Sequence, residues 1–465
     1  MARAVIRRLG LLAAFTLLNF TSPIHAAVFY PASFMLDNGL QLVVVPNRLA
    51  PAVTQMVWYK VGSSDETPGK TGLAHYLEHL MFRGTAQRGP GEFSKTIAAQ
   101  GGNDNAFTSY DYTAYFETVA ADRLPLIMQM EADRMQNLRI TPETATPELS
   151  VVLKERQERT DNDPRGRFDE KLRQTLMPQH PYGTPIIGWK NEIEKLSVAD
   201  ANKFYEQHYA PNNAVVVISG DVEPDKVLEL AKSTYGAVPK RDVSARSALP
   251  APVKPSNRRI AMTDSGVQQP QLTWRAVVPS YSTQKNREAY ALEVLCEALD
   301  SGEVGLLYRE MVMQQGIASG VGAQYDADAR GDAIFTISAT PNPGKDPGAL
   351  EKALQKTLKI LAGKGLDAKT VKDAVRRLTR AAIFARDNLM MPGYAFGMAV
   401  TTGHSVTDVE AWPDRIAAVS PDEVNTALRK LVANPRQVTG LLLPAPNGTH
   451  KAQPQTSPHN EGGIR

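Results

Sequence analysis

The sequence predicts an α+β fold built as two similar halves, and three observations carry that expectation. β-rich runs and helical runs alternate from residue 35 onward, and the order of elements recurs after a Pro-rich stretch near residue 250. The chain has 465 residues, 42% of them hydrophobic, which suffices for two or three domains of roughly 100–200 residues each.

In the first half, "GLQLVVVPN" (39–47) and "AVTQMVWYKVG" (52–62) read as strands broken by polar turns. Helical patterns follow at 71–83 and 91–100. "AFTSYDYTAYFETVA" (106–120) then alternates Thr with aromatic residues at period two, a strand signature. Helices are expected at 121–137, 147–160 and 166–177, a buried strand at 213–222, and a helix from Pro224. Residues 238–257 hold four Pro and no apolar period and read as a connector, with the linker set at 241–257 between domains at 27–240 and 258–446. The second half runs strand (258–278), helices (284–300 and 305–315), strand (332–340), helices (348–363, 368–387 and 420–432) and strand (437–445). "MMPGYAFGMAVTTGH" (390–404) is open between a flexible loop and an irregular helix join, and the polar tail 447–465 is expected to be disordered.

The first 26 residues stand apart. Arg3, Arg7 and Arg8 precede an apolar run from Leu9 to Leu18 and a polar stretch ending at Ala26, the build of an export leader cleaved near Ala26 and of a periplasmic protein. The run is about half of the ~20 residues a membrane span requires, so stable membrane insertion is not expected. The leader holds three Arg and no acid, so the +3 of the whole chain belongs to it and the remainder is formally neutral. A nucleic-acid partner wants a basic surface, and the formal charge offers none to spare. A single cysteine, Cys296, lies among Leu292, Leu295 and Leu299 and reads as a small core residue.

"GLAHYLEHLMFRGT" (72–85) carries the chemistry. His75 and His79 are four apart and stack on one helix face, with Glu78 beside them. Two imidazoles at this spacing can hold a zinc ion, a third ligand closes the site, and an adjacent carboxylate takes a proton from water. The third ligand is sought in "PELSVVLKERQERTDNDP" (147–164), where Glu148 and Glu155 are nearly on one face and Glu158 competes from a neighbouring one.

"HYLEH", "NAFTSYDYTAYFE" and "VVLKERQERTDNDP" together resemble, in order and spacing, the pitrilysin (insulinase) family of inverted-motif zinc peptidases. The likeness is to the short bacterial type related to mitochondrial processing peptidase subunits, and it spans nearly the whole chain after the leader. It implies two homologous α/β-sandwich halves, each with helices packed on one face of its sheet. It further implies one Zn²⁺ per chain on His75, His79 and Glu155, with Glu78 as general base and Glu148 supporting the site. Asn105 and Ala106 match the start of an edge strand to which a substrate peptide, or an unfolded segment, adds. The family's second half supplies an Arg and a Tyr, seven apart, that hold the substrate carbonyl. The positions aligned to them here are Val312 and Ser319, while Arg309 and Tyr308 are close by but out of register. The departure points to a heterodimer in which a metal-free homologue brings the Arg and Tyr; a homodimer is the other arrangement. The alternative function is a peptide-binding or assembly subunit of the same fold that does no chemistry.

Overall fold

The computed structural model describes residues 28–243, 245–251, 257–284 and 287–446. The expected leader, the expected tail and part of the expected linker lie outside these residues.

Two sheets organise the chain. The first contains β1 (Ala32–Met35), β2 (Gln41–Pro46), β3 (Ala52–Tyr59), β4 (Asn103–Thr108), β5 (Thr113–Ala120) and β6 (Ala214–Gly220), in the order β1-β2-β6-β3-β5-β4. The second contains β7 (Arg258–Asp264), β8 (Gln271–Val278), β9 (Ala318–Tyr325), β10 (Ala333–Pro341) and β11 (Gln437–Pro444), in the order β7-β11-β8-β10-β9. Leaving out β1, the two orders match strand for strand. In each, the opening strand lies parallel to the closing one, and every other pairing is antiparallel. The duplication expected from element order is thus written in the topology.

Three expectations change in detail. The run 106–120 is a hairpin, β4 and β5, turning at 109–112; aromatic residues continue through the turn, so the period shows no break. The run 258–278 is likewise two strands, β7 and β8. Residues 390–404, left open between a loop and a helix join, contain a regular helix, Met391–Thr401. The strand β9 had no sequence counterpart, because Gly320 and Gly322 dilute its β signal.

Successive strand residues point to opposite faces, and both faces of each sheet are covered. On the first sheet, Leu42, Val44, Val57 and Val216 join the core under the first half's own helices. Val43, Val45, Met56 and Trp58 face the other way, onto Phe396 and Val400 of the Met391–Thr401 helix. That helix belongs to the second half. The first half reciprocates: Phe168, Leu172 and Leu176 of the helix Pro164–Leu176 pack on Val277, Val438 and Leu442 of the second sheet. A half-buried ionic cluster reinforces the exchange. Asp65 of the first half accepts from Arg246, in the stretch between the two sheets, and from Arg330 of the second half (2.8 Å), and the Arg330 backbone N–H donates to Asp111 (3.1 Å).

Gly393 and Gly397, four apart, let the crossing helix sit this close. A Cβ at Gly397 would run into the Trp58 indole, and one at Gly393 into the Met56 sulfur. Trp58 is fully buried and cannot yield. We expect Gly397→Val to lower stability by about 3 kcal/mol, seen as a fall in melting temperature. Gly363→Ala, in open space near the end of another helix, is the control and should stabilise by up to about 1 kcal/mol. Equal melting of the Gly397 variant and the wild type would refute the packing argument.

Candidate metal centre

The motif helix, Leu73–Leu80, starts where the backbone turns left-handed at Gly72 (φ 87°). The Glu66 carboxylate accepts the N–H groups of Gly72 (3.0 Å) and Ala74 (2.8 Å), satisfying donors that a helix start leaves open. Leu73, Ala74, Tyr76, Leu77 and Leu80 are buried, and His75, Glu78 and His79 share the opposite flank. The Tyr76 hydroxyl donates to the Ala145 carbonyl (2.6 Å) and ties this helix to the one spanning Pro142–Arg156. That second helix begins five residues earlier than expected, because Thr141 caps it and Pro142 occupies the first turn, where a missing N–H costs nothing.

The crossing of the two helices selects among the three glutamates. Glu155 Oε2 lies 3.3 Å from His79 Nε2 and 3.8 Å from His75 Nε2. One ligand atom from each of His75, His79 and Glu155 falls within 4.8 Å of the others, the only such cluster among the described residues. Glu148 meets the other side of the same imidazole, with Oε1 2.8 Å from His79 Nδ1. Its second oxygen pairs with Arg83. Glu158 points outward, 62% exposed, beside Lys154. The last turn of the helix widens into a π form over Gln157–Asp161, and Arg159 reaches back to Glu155 Oε1 (2.8 Å).

The protonation pattern follows from these contacts. Burial, aided by His79, pushes His75 down to about 4, so it is neutral with a lone pair to give. Burial also opposes charge on His79, but its bonds to Glu148 and Glu155 outweigh that and raise it to about 9. Glu155 is held low, first by the bond to His79. Burial raises Glu78 to about 7, against the lowering pull of Thr108 and His79. A carboxyl poised near neutrality is what a group exchanging protons at pH 7 requires.

Asn105 and Ala106 lie on β4, the edge strand of the first sheet, opposite Phe116 and Tyr115 of β5. The Ala106 N–H is held by the Asn105 side-chain oxygen (2.8 Å). Thr108, which sequence reasoning passed over, ends the same strand and donates to Glu78 Oε2 (2.5 Å). It sits inside the quoted "NAFTSYDYTAYFE", but nothing in its spacing marks it. Only the approach of β4 to the motif helix does. Arg83 and Glu66 are further contacts that sequence reasoning does not mark, whereas Arg159 stands four residues after Glu155, a spacing that could have found it. In the second half, Val312 packs against the core and Ser319 lies on β9, its hydroxyl 3.4 Å from the Thr340 carbonyl. Cys296 is half-buried, with burial raising its thiol to about 12, in keeping with a packing role.

The donor set suits zinc: two imidazole nitrogens and a carboxylate oxygen converge, and one imidazole is oriented from behind by a second carboxylate, as metal-binding histidines usually are. Residues 42–190 match the insulinase (peptidase family M16) model and 195–378 the peptidase M16 inactive-domain model. The zinc protease PqqE of Helicobacter pylori is 33% identical over 77% of this chain and 80% of its own length. The beta subunit of the mitochondrial processing peptidase of Blastocladiella emersonii is 31% identical over 46% of each chain. The crystal structure of a protease from Helicobacter pylori superposes with a TM-score of 0.83 at 27% identity, covering 90% of this chain and all of that one.

Proposed function

This chain belongs to the insulinase (M16) family of peptidases, and from that premise we propose that it is a zinc-dependent endopeptidase acting on peptides or unfolded segments. The convergence of His75, His79 and Glu155 on one point is the observation that carries the reading. These three residues would hold the ion. Bound zinc would polarise a carbonyl and lower the pKa of a water molecule toward ~7.

The protein's own residues do the rest. Glu78 takes the proton of the attacking water and returns it to the leaving amine; Thr108 holds Oε2 and so aims Oε1 for that exchange. Glu148 holds His79 by Nδ1, which leaves Nε2 for the metal. The free edge of β4 receives the substrate as an added strand, main chain to main chain. An incoming carbonyl oxygen would replace the Asn105 side chain on the Ala106 N–H. Strand and base are joined through Thr108, so docking of the peptide is felt at Glu78. Selection of extended chains over folded ones follows from edge pairing.

Val312 and Ser319, aligned to the family's carbonyl-holding Arg and Tyr, cannot donate as those residues do, which supports the catalytic subunit of a heterodimer. Export through the segment 1–26 completes the reading; among the described residues no helix is long and apolar enough to cross a membrane. The test is metal content and peptide hydrolysis of the purified chain, alone and with a metal-free homologue from the same cell. About one zinc per chain with turnover appearing only in the mixture is expected. Full activity of the chain alone would remove the heterodimer, and zinc without hydrolysis in any pairing would favour a peptide-binding subunit. Glu148→Gln should weaken zinc binding by roughly 10–100-fold, measured by competition with a chelating dye; unchanged affinity would remove its supporting role.

A further inference from the structure

We infer that the exposed face around the C-terminal end of the helix Ala368–Ala385 docks on an anionic lipid surface. The outward side of that helix carries Lys369, Lys372, Arg376 and Arg380 at helical spacing, with Asp373 paired to Lys369 (2.8 Å) and Arg376 (2.9 Å), and then ends in Ile383 and Phe384. Both apolar side chains stand in solvent, 63% and 71% exposed, and two more, Tyr30 (61%) and Leu49 (70%), come from the far end of the sequence.

Arg386 gathers the four into one place. Its guanidinium lies 5.4 Å from the centre of the Tyr30 ring, and its backbone N–H bonds to the Ile383 carbonyl (3.3 Å). Its own carbonyl accepts from the Asn47 side chain (2.9 Å), which in turn holds the Leu49 N–H (3.1 Å). Isolated exposed apolar residues need no explanation, but four grouped at the end of a basic stripe do. Aromatic and aliphatic tips flanked by Lys and Arg match the boundary between lipid headgroups and acyl chains.

Charge favours lipid over a second copy of the chain. A two-fold interface would set this face against itself, and the face carries five cations (Lys369, Lys372, Arg376, Arg380 and Arg386) against two acids, Asp373 and Asp387. The proposal is independent of the peptidase reading, since no residue in it touches the metal centre.

The test is co-sedimentation of residues 27–465 with vesicles of phosphatidylglycerol and, separately, phosphatidylcholine, over a range of salt. The variants are Ile383→Ser/Phe384→Ser and Arg376→Glu/Arg380→Glu, all at exposed positions where folding should survive, checked by melting temperature. Binding to phosphatidylglycerol alone is expected, screened by salt and roughly tenfold weaker in each double variant. A Phe384→Trp chain should shift its emission to the blue on those vesicles only. Equal sedimentation with both lipids, unaltered binding of the variants, or no binding at all would overturn the proposal. So would a dimer in light scattering that both variants dissolve, which would assign the face to a second copy.

Discussion

Glu78→Gln should cut peptide hydrolysis by about 10²–10⁴-fold, the usual worth of a positioned general base, and leave zinc content unchanged. Gln keeps the size of Glu and can still accept from Thr108 through its amide oxygen, so the helix and the ligands around it stay in place. What it cannot do is take a proton. The pH profile separates this from a structural defect. Burial raises Glu78 to about 7, and it accepts a proton only when ionised, so activity should climb with rising pH through an acidic limb. A cation beside the carboxylate favours the charged form and draws that limb below 7. The wild type should show the limb and the variant should lose it. Full activity, or loss of metal along with activity, would remove Glu78 from the proposed role.

Glu155→Gln should abolish stoichiometric zinc, weakening affinity by more than the roughly 10–100-fold expected when a supporting residue such as Glu148 is changed. A neutral amide replaces the one anionic ligand, and the two imidazoles keep at most a weak third donor. Hydrolysis should fall with metal occupancy. A ligand that binds only the folded chain stabilises it by mass action, so zinc should raise the melting temperature of the wild type and fail to raise that of the variant. Glu158→Gln is the decisive companion. It lies on the same helix, three residues on, but faces solvent beside Lys154. If it behaved like Glu155→Gln, and Glu155→Gln like the wild type, the ligand assignment would be reversed.

The sequence made part of the site legible and left part of it open, and the division follows chain distance. His75, Glu78 and His79 lie within five residues, and helical geometry alone sets their shared flank. The helix Pro142–Arg156 and the π turn after it offered Glu148, Glu155 and Glu158 as candidates, which pattern could not rank and only the family resemblance put in order. Their ranking depends on how that helix crosses the motif helix, which the Tyr76–Ala145 bond and the surrounding core decide. Thr108 is a sharper case. Its bond to Glu78 exists because the hairpin β4–β5 runs past the motif helix, and the hairpin itself was read as one strand.

The same boundary holds for the fold. Alternation and helical period, being properties of neighbours in the chain, determined the α+β class, the two halves and the recurrence of element order. The exchange of helices between the halves was not legible. In "MMPGYAFGMAVTTGH" the glycines read as breakers, whereas two of them are the close-packing face against Met56 and Trp58. Whether a glycine breaks a helix or seats it depends on what lies opposite, and that partner is more than 300 residues away in the sequence. The residues of one helix thus determined what chemistry the protein can hold. The packing of distant segments decided which carboxylate lies against the two histidines, which hydroxyl holds Glu78, and which apolar side chains were left facing outward.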